Sequence, residues 1–546
     1  MISEDKIKQI NRNAFGHAAR VRRNHEREMD HSIRFTQPVR EYFNSKGRRI
    51  DRIDQYDSTA VAGLMNAQAM ILSLAVPQGT EWFDIGVKRK FGTRIPLNVR
   101  QILRQYNSIT TDTLETGNFV MELGNTLFDI LGPGTGVMGK VDNPEGPMWF
   151  NVPISQIYLL YDEYAGRYHH VFREHEMSAI QIHEMFDDEG DVPTPVVKAI
   201  NDERYEDKFK VCEAQSYIED EYHYAVYMKE TWEQITYRKL HSPIYYPMIW
   251  NKIPNEPWGD GLIRQALPHI QTANQIRKLQ VAHAEFNALG AWQAVGDSVV
   301  NWRNKKIEPG TILPTGGQEL RPLPLPGNYT DLEPALNREE MAIRSIMMMD
   351  IIPAPDDGVR TAFEIGKRFQ VFVERAGTAA LNFETMGLKP MLRGHVKSLQ
   401  AVGLLPDIQD DNDEIMEFNI NSIVKRGRQL EEISRNLEMV NLVTQLSAQM
   451  GDPTILMTIK GREFAQHLLM HGGFNPDFIA SEEELQAKLD QLAQQEGAQQ
   501  AMDMGSQLLS LTGQAQDQGL NTSNLQGAVS NAIQAGDNVR RATTGQ

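Results

Sequence analysis

The chain lacks several features on which common classes of protein depend. A single cysteine, Cys212, occurs among its 546 residues, which excludes an intramolecular disulfide framework and a cysteine-rich metal site. Residues 1–15 are charged and contain no apolar run, so we expect no secretory signal. No H-E-x-x-H and no G-x-S-x-G motif occurs, so the zinc-protease and serine-hydrolase classes have no support.

The net charge is −17, from 72 acidic and 55 basic side chains. Proteins that bind phosphate over their whole surface are basic, so that class is excluded. An acidic protein can still surround DNA if its task is to repel the phosphates. A hydrophobic content of 41% and a charged content of 23% are typical of a globular protein, and the length suggests about three to four domains.

The first fifty residues are locally basic. Glu26, Glu28 and Asp30 interrupt the basic side chains, so a solvated helix face is the simplest interpretation. An arm that touches DNA or an acidic neighbouring subunit is the alternative. The basic residues are Arg20, Arg22, Arg23, Arg27, Arg34, Arg40, Arg48 and Arg49.

An apolar helix is predicted over residues 60–76. Asp57 or Ser58 can cap its start, and Pro77 ends it. Two polar residues interrupt the run, which favours a buried amphipathic helix over a membrane span. The apolar positions recur at helical spacing and are Ala60, Leu64, Ala67, Ile71 and Leu74.

The whole pattern predicts an α+β protein that is mainly helical. Alternating residues predict antiparallel strands at 156–161, 167–174, 209–217 and 222–228, with a further strand at 417–424. Helical spacing predicts helices at 97–130 in two pieces, at 262–288, 335–350, 361 to about 402, 427–450 and 454–471. Proline and glycine restrict residues 289–333 to short strands and loops.

The sharpest enzymatic candidate is the segment Gly134–Lys140, which satisfies G-x-x-x-x-G-K, the start of a P-loop. A P-loop continues with Ser or Thr, whose hydroxyl holds magnesium, but the next residue is Val141. Pro144 then blocks the helix whose N-terminus would bind phosphate. We therefore interpret the segment as a glycine-rich turn that leads into a strand.

No metal site and no cofactor is predicted. His169 and His170 are neighbours in a predicted strand, so they face opposite ways and cannot share one metal. His175 and Glu176 are interpreted as a surface pair, and Cys212 as a structural residue within a strand. His183 does not form an H-E-x-x-H motif with the other histidines. The acidic run 407–414 lacks the central glycine of an EF-hand loop.

Residues 481–546 contain no proline and no aromatic residue and are rich in Gln and Ala. One helix with so little apolar surface cannot build a core, so the segment stays disordered or packs beside copies of itself. Leu485, Leu489 and Leu492 have the spacing of a coiled-coil seam.

Several motifs follow one another in the order found in the portal proteins, or head-to-tail connectors, of short-tailed bacteriophages, the T7-like podoviruses. The helix start at Asp57 with the P-x-G-x-x-W-F run ending at Phe83 resembles their N-terminal signature. The G-T-G at Gly134 is similar to their glycine turn, and the P-W-G-D-G at Pro257 to the residues before their stem. The ordered set covers most of residues 50–475. Trp82 and Phe83 are then expected to anchor the core.

The resemblance implies a portal fold whose parts follow one order along the chain. These parts are an α/β wing at 1–261, a first stem helix at 262–288, a β-rich clip at 289–333, a second stem helix at 334–349, a channel loop at 350–360, long wing and crown-side helices at 361–475, and a helical crown or barrel tail at 476–546.

The resemblance also implies a structural role without catalysis. Twelve copies would form a ring at one capsid vertex, and double-stranded DNA would enter and leave through its channel. The partners would be the transient terminase, tail adaptor or nozzle proteins, the major capsid protein and internal core proteins, with no membrane. The ring would be assembled in the host cytoplasm and carried in the virion.

Candidate site residues follow from this map. In the channel loop, a ring of carboxylates from Asp350, Asp356 and Asp357 would repel phosphate, and Arg360 is the residue to test for DNA contact. In the stem, Arg264, Arg277 and Lys278 are candidates for salt bridges between subunits or for phosphate contacts. In the clip, the docking candidates are Pro322, Pro324 and Pro326, which are pre-ordered by their extended conformation.

Other interpretations stay open from the sequence. The clip segment could be a plain linker with a hairpin. The chain could be another oligomeric virion or scaffold protein without a DNA channel, with the tail as its assembly device. A nucleotide-dependent enzyme is a third class, and it depends only on Gly134–Lys140.

Overall fold

The structure, a computed structural model, describes residues 3–37, 55–77, 82–87, 97–143, 146–186, 192–290, 292–295, 312–315, 321–322, 332–350, 371, 374–405 and 416–420, with short stretches between 435 and 450. The chain divides into two compact units, Met1–Arg435 and Asn436–Gln546. Helices and sheets are mixed in the first unit, so the predicted α+β class is confirmed.

The helices of the first unit agree with most of the predicted ranges. They are α1 (Glu4–Thr36), α2 (Thr59–Ala75), α3 (Leu97–Thr116), α4 (Phe119–Leu131), α5 (Ala179–Phe186), α6 (Thr194–Asn201), α7 (Leu262–Leu289), α8 (Leu332–Ile346) and α9 (Lys389–Val402). The predicted helix over 335–350 was too long at its end. Met348 has φ of 59°, in the left-handed region, so residues 347–350 form a turn.

The strands form four small sheets and one five-stranded meander among the described residues. They are β1 (Phe83–Val87), β2 (Thr135–Val141), β3 (Met148–Val152), β4 (Ile157–Asp162), β5 (Arg167–Ser178), β6 (Lys208–Ile218), β7 (Glu221–Met228), β8 (Gln234–Leu240), β9 (Tyr245–Ile249), β10 (Asn251–Lys252), β11 (Gly259–Asp260), β12 (Trp292–Val295), β13 (Ile312–Thr315), β14 (Arg321–Pro322) and β15 (Met416–Ile420). The four long predicted strands are confirmed as part of a five-stranded sheet of order β4-β5-β6-β7-β8.

Smaller sheets tie distant segments together. β2 lies between β3 and β9, and β1 pairs with β15, so residues 83–87 meet residues 416–420. In the region predicted to hold only short strands and loops, β12 pairs with β13 in parallel and with β14 in antiparallel fashion.

Helix α2 is the core helix that the apolar pattern predicts. Asp57 caps it, since its carboxylate accepts from the main-chain N–H of Thr59 at 3.2 Å. Four of the five predicted positions are buried, and Leu74 packs against the same cluster while partly exposed. Trp82 and Phe83 are also buried, with ring centroids 4.8 Å apart, so their prediction as core anchors is confirmed.

Helix α1 corrects the interpretation of the basic N-terminal stretch. Arg22 is buried, and its Nη1 donates to the carbonyl of Ile157 at 3.0 Å, while its guanidinium lies 4.2 Å from the ring centre of Tyr158. Burial lowers the pKa of Arg22, which Tyr158 and Glu26 oppose. Arg20, Arg23, Arg27 and Arg34 are exposed, and Arg40, Arg48 and Arg49 lie outside the described residues.

The helical segment 374–402 contains a widened turn. Residues 374–382 are helical, Phe383–Leu388 form a π-helix, and α9 follows directly. Pro390 has no N–H and cannot close a backbone hydrogen bond to the preceding turn, which favours this change of pitch. The capping box at Thr361 lies outside the described residues.

The second unit is described only at a few positions up to residue 450. These positions are helical, as predicted for 427–450. Their exposed apolar side chains are Met439, Leu442, Leu446 and Met450. The predicted helix at 454–471 and the tail at 476–546 lie outside the described residues.

Candidate functional site

The pair of helices α7 and α8 lies at the centre of the predicted site. Polar contacts join the two helices along their length: His269 Nδ1 lies 2.7 Å from the Glu339 carboxylate, and Arg277 Nη2 lies 3.2 Å from Glu340. Ile343 on α8 is fully buried beside the first half of α7. The two helices that the resemblance assigns to the stem therefore pack on each other within one chain.

Glycines join the start of α7 to the rest of the first unit. Gly134 has φ of 106°, and a Cβ on it would come within 2.5 Å of the Gly259 carbonyl. Gly261 has no room for a Cβ beside the Gly132 carbonyl. The Gly259 N–H donates to Thr135 Oγ1 at 2.8 Å. The two glycine motifs that the sequence presents separately are therefore halves of one backbone contact.

Arg264 fixes the first turn of α7 to α1. Its Nε donates to Glu28 at 2.7 Å, and its Nη2 lies 3.1 Å from His25 Nδ1. His25 Nε2 in turn lies 3.1 Å from Glu256. This predicted stem residue is therefore engaged within its own chain, with only 13% of its side chain exposed.

Burial along α7 changes abruptly at its middle. The first half, up to Ala273, packs into the main hydrophobic cluster. In the second half only Gln280 is buried, while Leu279, Val281 and Leu289 are 48%, 42% and 61% exposed. Residues 274–289 extend about 24 Å along the helix, and most of their side chains are exposed or half-buried.

Of the other predicted site residues, three lie among the described residues and five lie outside them. Lys278 Nζ lies 5.6 Å from the ring centre of Tyr56, and Asp350 receives Arg375 Nη1 at 3.2 Å. Pro322 belongs to β14, where it is opposite Trp292. Asp356, Asp357, Arg360, Pro324 and Pro326 lie outside the described residues.

The P-loop candidate is a buried strand. Residues 135–141 form β2, and the Lys140 side chain is enclosed instead of facing a phosphate site. Its Nζ donates to Ser242 Oγ at 2.9 Å and to the Gly394 carbonyl at 3.2 Å, and pairs with Asp142 at 3.2 Å. Burial lowers the pKa of Lys140, which Asp142 opposes. The interpretation as a turn leading into a strand is confirmed.

The neighbouring histidines His169 and His170 differ in their surroundings, as expected for adjacent residues of one strand. His170 is buried while His169 is 41% exposed, and burial, with His169 nearby, lowers the pKa of His170 to about 4. The proposed surface pair of His175 with Glu176 was wrong. His175 Nε2 lies 2.6 Å from Glu213 on the neighbouring strand, because adjacent residues of one strand point away from each other.

Glu213 is a buried charged centre that the sequence analysis missed. It accepts from Tyr224 at 2.7 Å and from the Tyr245 hydroxyl, and Arg173 lies 3.6 Å away. Burial raises the pKa of Glu213, but the hydrogen bond from His175 and the Arg173 charge outweigh it and lower the pKa to about 2. A lone carboxylate within the apolar run of β6 was the available signal.

Cys212 is buried, and burial raises its pKa to about 12, which fits the structural role predicted for it. Within the described residues, no three His, Cys, Asp or Glu side chains are placed to hold a metal ion. None of the helices in the described part of the chain combines the length and apolar character that a membrane span requires.

Comparison with known proteins identifies the chain. The model of the family of bacteriophage head to tail connecting proteins matches residues 9–479, which is most of the sequence. No curated protein matches. This family is a structural one of the virion, at the capsid vertex, and its members contact capsid and tail components. The match contains the core helix α2, the glycine contact and the α7–α8 pair, and the chain is a member of the bacteriophage head-to-tail connector family.

Proposed function

We propose that this connector is the portal of a short-tailed, T7-like bacteriophage, a ring of twelve copies around an axial channel for double-stranded DNA. The observation that carries the proposal is the half-exposed helix α7. The first half of α7 is fixed in the core of its own chain, and the second half presents Leu279, Val281 and Leu289 to solvent. Leu279 and Val281 lie on opposite sides of the helix, since residues two apart in an α-helix do not share a face, so a neighbouring copy on each side of the ring would cover one of them.

The parts of the chain have distinct roles in this proposal. Residues 1–261 form the wing, 262–288 and 334–349 the stem, and 361–475 the wing and crown-side helices. The clip at 289–333, with Pro322, Pro324 and Pro326, receives terminase during packaging and tail adaptor proteins afterwards. The tail at 476–546 forms the crown or barrel beside the internal core proteins. The ring is assembled in the host cytoplasm.

The channel loop at 350–360 provides the DNA-facing charge. Asp350, Asp356 and Asp357, repeated around a ring, would repel the phosphates and let the duplex slide. Arg375 holds Asp350 on the surface of the same chain, at 3.2 Å. Arg360 would contact phosphate, and so would Lys278, which is exposed while Arg264 and Arg277 are half-buried.

Assembly tests the proposal directly. The paired substitution Leu279→Asp and Val281→Asp places charges where copies would meet, so we expect rings to be replaced by monomers in native mass measurement and electron microscopy. Met185→Asp on α5 is the matched control, because Met185 is 61% exposed on a helix outside the pair. A wild-type protein that stays monomeric, or rings that tolerate both aspartates, would refute the proposed contact.

A further inference from the structure

A cleft of about 640 Å³ lies where one end of the five-stranded sheet meets α9. The sheet contributes Arg167 from the start of β5, Tyr217 and Tyr222 from the β6–β7 hairpin, and Lys239 from β8. Helix α9 contributes Arg393 and Lys397. A volume in this range is typical of binding clefts, and no part of the α7–α8 pair lines it.

The cleft presents guanidinium groups that lack a carboxylate partner. Within the described residues, no carboxylate lies within 4.0 Å of Arg167 or Arg393. Both charges act on Tyr222: burial raises the pKa of Tyr222, and Arg167 and Arg393 lower it. Arg167 also lies 4.2 Å from the ring centre of Tyr217, so that ring face is already covered.

The acidic groups of the cleft are already engaged. Glu221 pairs with Lys239 at 2.5 Å, and Asp220 accepts from the Tyr217 hydroxyl at 3.2 Å. The cleft therefore presents cations to a ligand, and Arg167 occupies a face of the Tyr217 ring on which a base could otherwise stack. These features favour carboxylates over a nucleic acid, which is bound by stacking and by a phosphate track.

A second cavity of about 120 Å³ continues from the cleft and is shaped for one apolar side chain. The two cavities share Arg167, Tyr222, Pro243 and Pro390. Apolar cavities of about 150 Å³ accept a molecule the size of benzene, so this one fits an aliphatic side chain. Thr385 of the π-helical turn and Pro390 of α9 also line it.

We infer that this cleft binds the acidic segment Asp407–Glu414 of a second copy of the chain. The segment carries carboxylates at Asp407, Asp410, Asp411, Asp413 and Glu414, with Ile408 as its apolar residue. Its charge complements Arg167 and Arg393, and Ile408 matches the small cavity. The need for a second copy rests on the proposed ring, in which each cleft would receive a neighbour's segment.

A labelled synthetic peptide of residues 404–416 tests the recognition. The receptor is the full chain with Asp410, Asp411 and Asp413 changed to Asn, so that its own segment does not compete. We expect saturable binding that weakens in high salt, and Arg167→Gln or Arg393→Gln to weaken it about tenfold each. Lys208→Gln is the matched control, because Lys208 is an exposed cation at the opposite end of β6.

Failure to bind at millimolar peptide, or binding that ignores both arginine changes, overturns the inference. Displacement of the peptide by a DNA duplex of equal concentration would instead make the cleft a nucleic-acid site and also overturns it. Binding of the peptide does not require a ring. The peptide can therefore fail to bind to a chain that forms rings, or bind to a chain that is monomeric. The recognition and the proposed function are therefore judged separately.

Cross-linking identifies the donor of the segment. Chains with His241→Cys, in the lining of the cleft, are mixed with chains with Asn412→Cys, an uncharged position of the segment, and oxidised mildly; the native Cys212 is buried and inert. We expect covalent dimers that contain one chain of each kind. Absence of dimers, together with an internal bond when both changes are in one chain, would show that each chain fills its own cleft and would overturn the inference.

Discussion

The buried carboxylate of Glu213 gives the sharpest test of how the five-stranded sheet is stabilised. Its folded pKa of about 2, against an ordinary 4.5, means that the folded state holds the charged form more tightly than the unfolded state does. That difference corresponds to about 3 kcal/mol of stability at pH 7. Glu213→Gln keeps the shape and removes the charge, so this stabilisation is lost and Arg173 and His175 face a neutral amide.

The pH dependence has a definite sign. Because the folded pKa is depressed, the contribution of Glu213 is complete above about pH 4.5 and falls as the pH approaches 2. We expect the wild type to exceed Glu213→Gln by about 3 kcal/mol at pH 7 and by roughly half of that at pH 3. Any cost of burying the amide itself adds an offset that does not change with pH.

Urea unfolding at pH 7, 5 and 3, followed by tryptophan fluorescence, measures the difference. Glu230→Gln is the matched control, because Glu230 is exposed in a turn of the same sheet. The reasoning is refuted if Glu213→Gln unfolds at the same urea concentration as the control at pH 7. It is also refuted if the gap between variant and wild type stays constant from pH 7 to pH 3.

Two further predictions concern the channel and the glycine-rich strand. Replacing Asp356 and Asp357 with Lys is expected to leave ring assembly intact and to reduce DNA packaging, because the loop would then hold phosphate; unchanged packaging in a plaque-forming assay would count against the channel loop. Lys140→Met is expected to shift the thermal midpoint and not to alter nucleotide affinity, because Lys140 binds Ser242 and the Gly394 carbonyl. Saturable ATP binding by the wild type that Lys140→Met abolishes would restore the P-loop interpretation.

Local patterns predicted much of the secondary structure. Helix α2 follows from the spacing of its apolar residues and from one proline, and Asp57 was one of two candidates for its cap. The burial of Trp82 and Phe83 was expected from the family resemblance. The contact between Gly134 and Gly259 could not be predicted, because the two residues are 125 positions apart and a glycine carries no side chain to reveal its partner. The sequence presents Gly134 as part of a turn and Gly259 as part of the segment before a helix, whereas the structure shows that the two backbones touch where both residues are glycine.

Helix α1 shows why an apolar pattern can understate a packed helix. Its buried positions recur every three or four residues, as on any packed face, but several of them are polar or charged. Asn11 bonds Ser216 and Tyr227, Arg22 bonds strand carbonyls, and His25 meets Glu256. A helix that packs through hydrogen bonds has a weak hydrophobic stripe, so the sequence favoured a solvated face.

The candidate site shows a different reason why the sequence alone is insufficient. The sequence predicts where α7 and α8 lie along the chain. It does not predict which face of either helix contacts a neighbouring copy, because an interface between copies has about the same residue composition as the rest of the protein surface. The structure narrows the choice: Arg264 and Arg277 are held by Glu28 and Glu340 of their own chain, so they are poor candidates for contacts between copies. Leu279 and Val281 are 48% and 42% exposed, and the interface is therefore sought on these side chains.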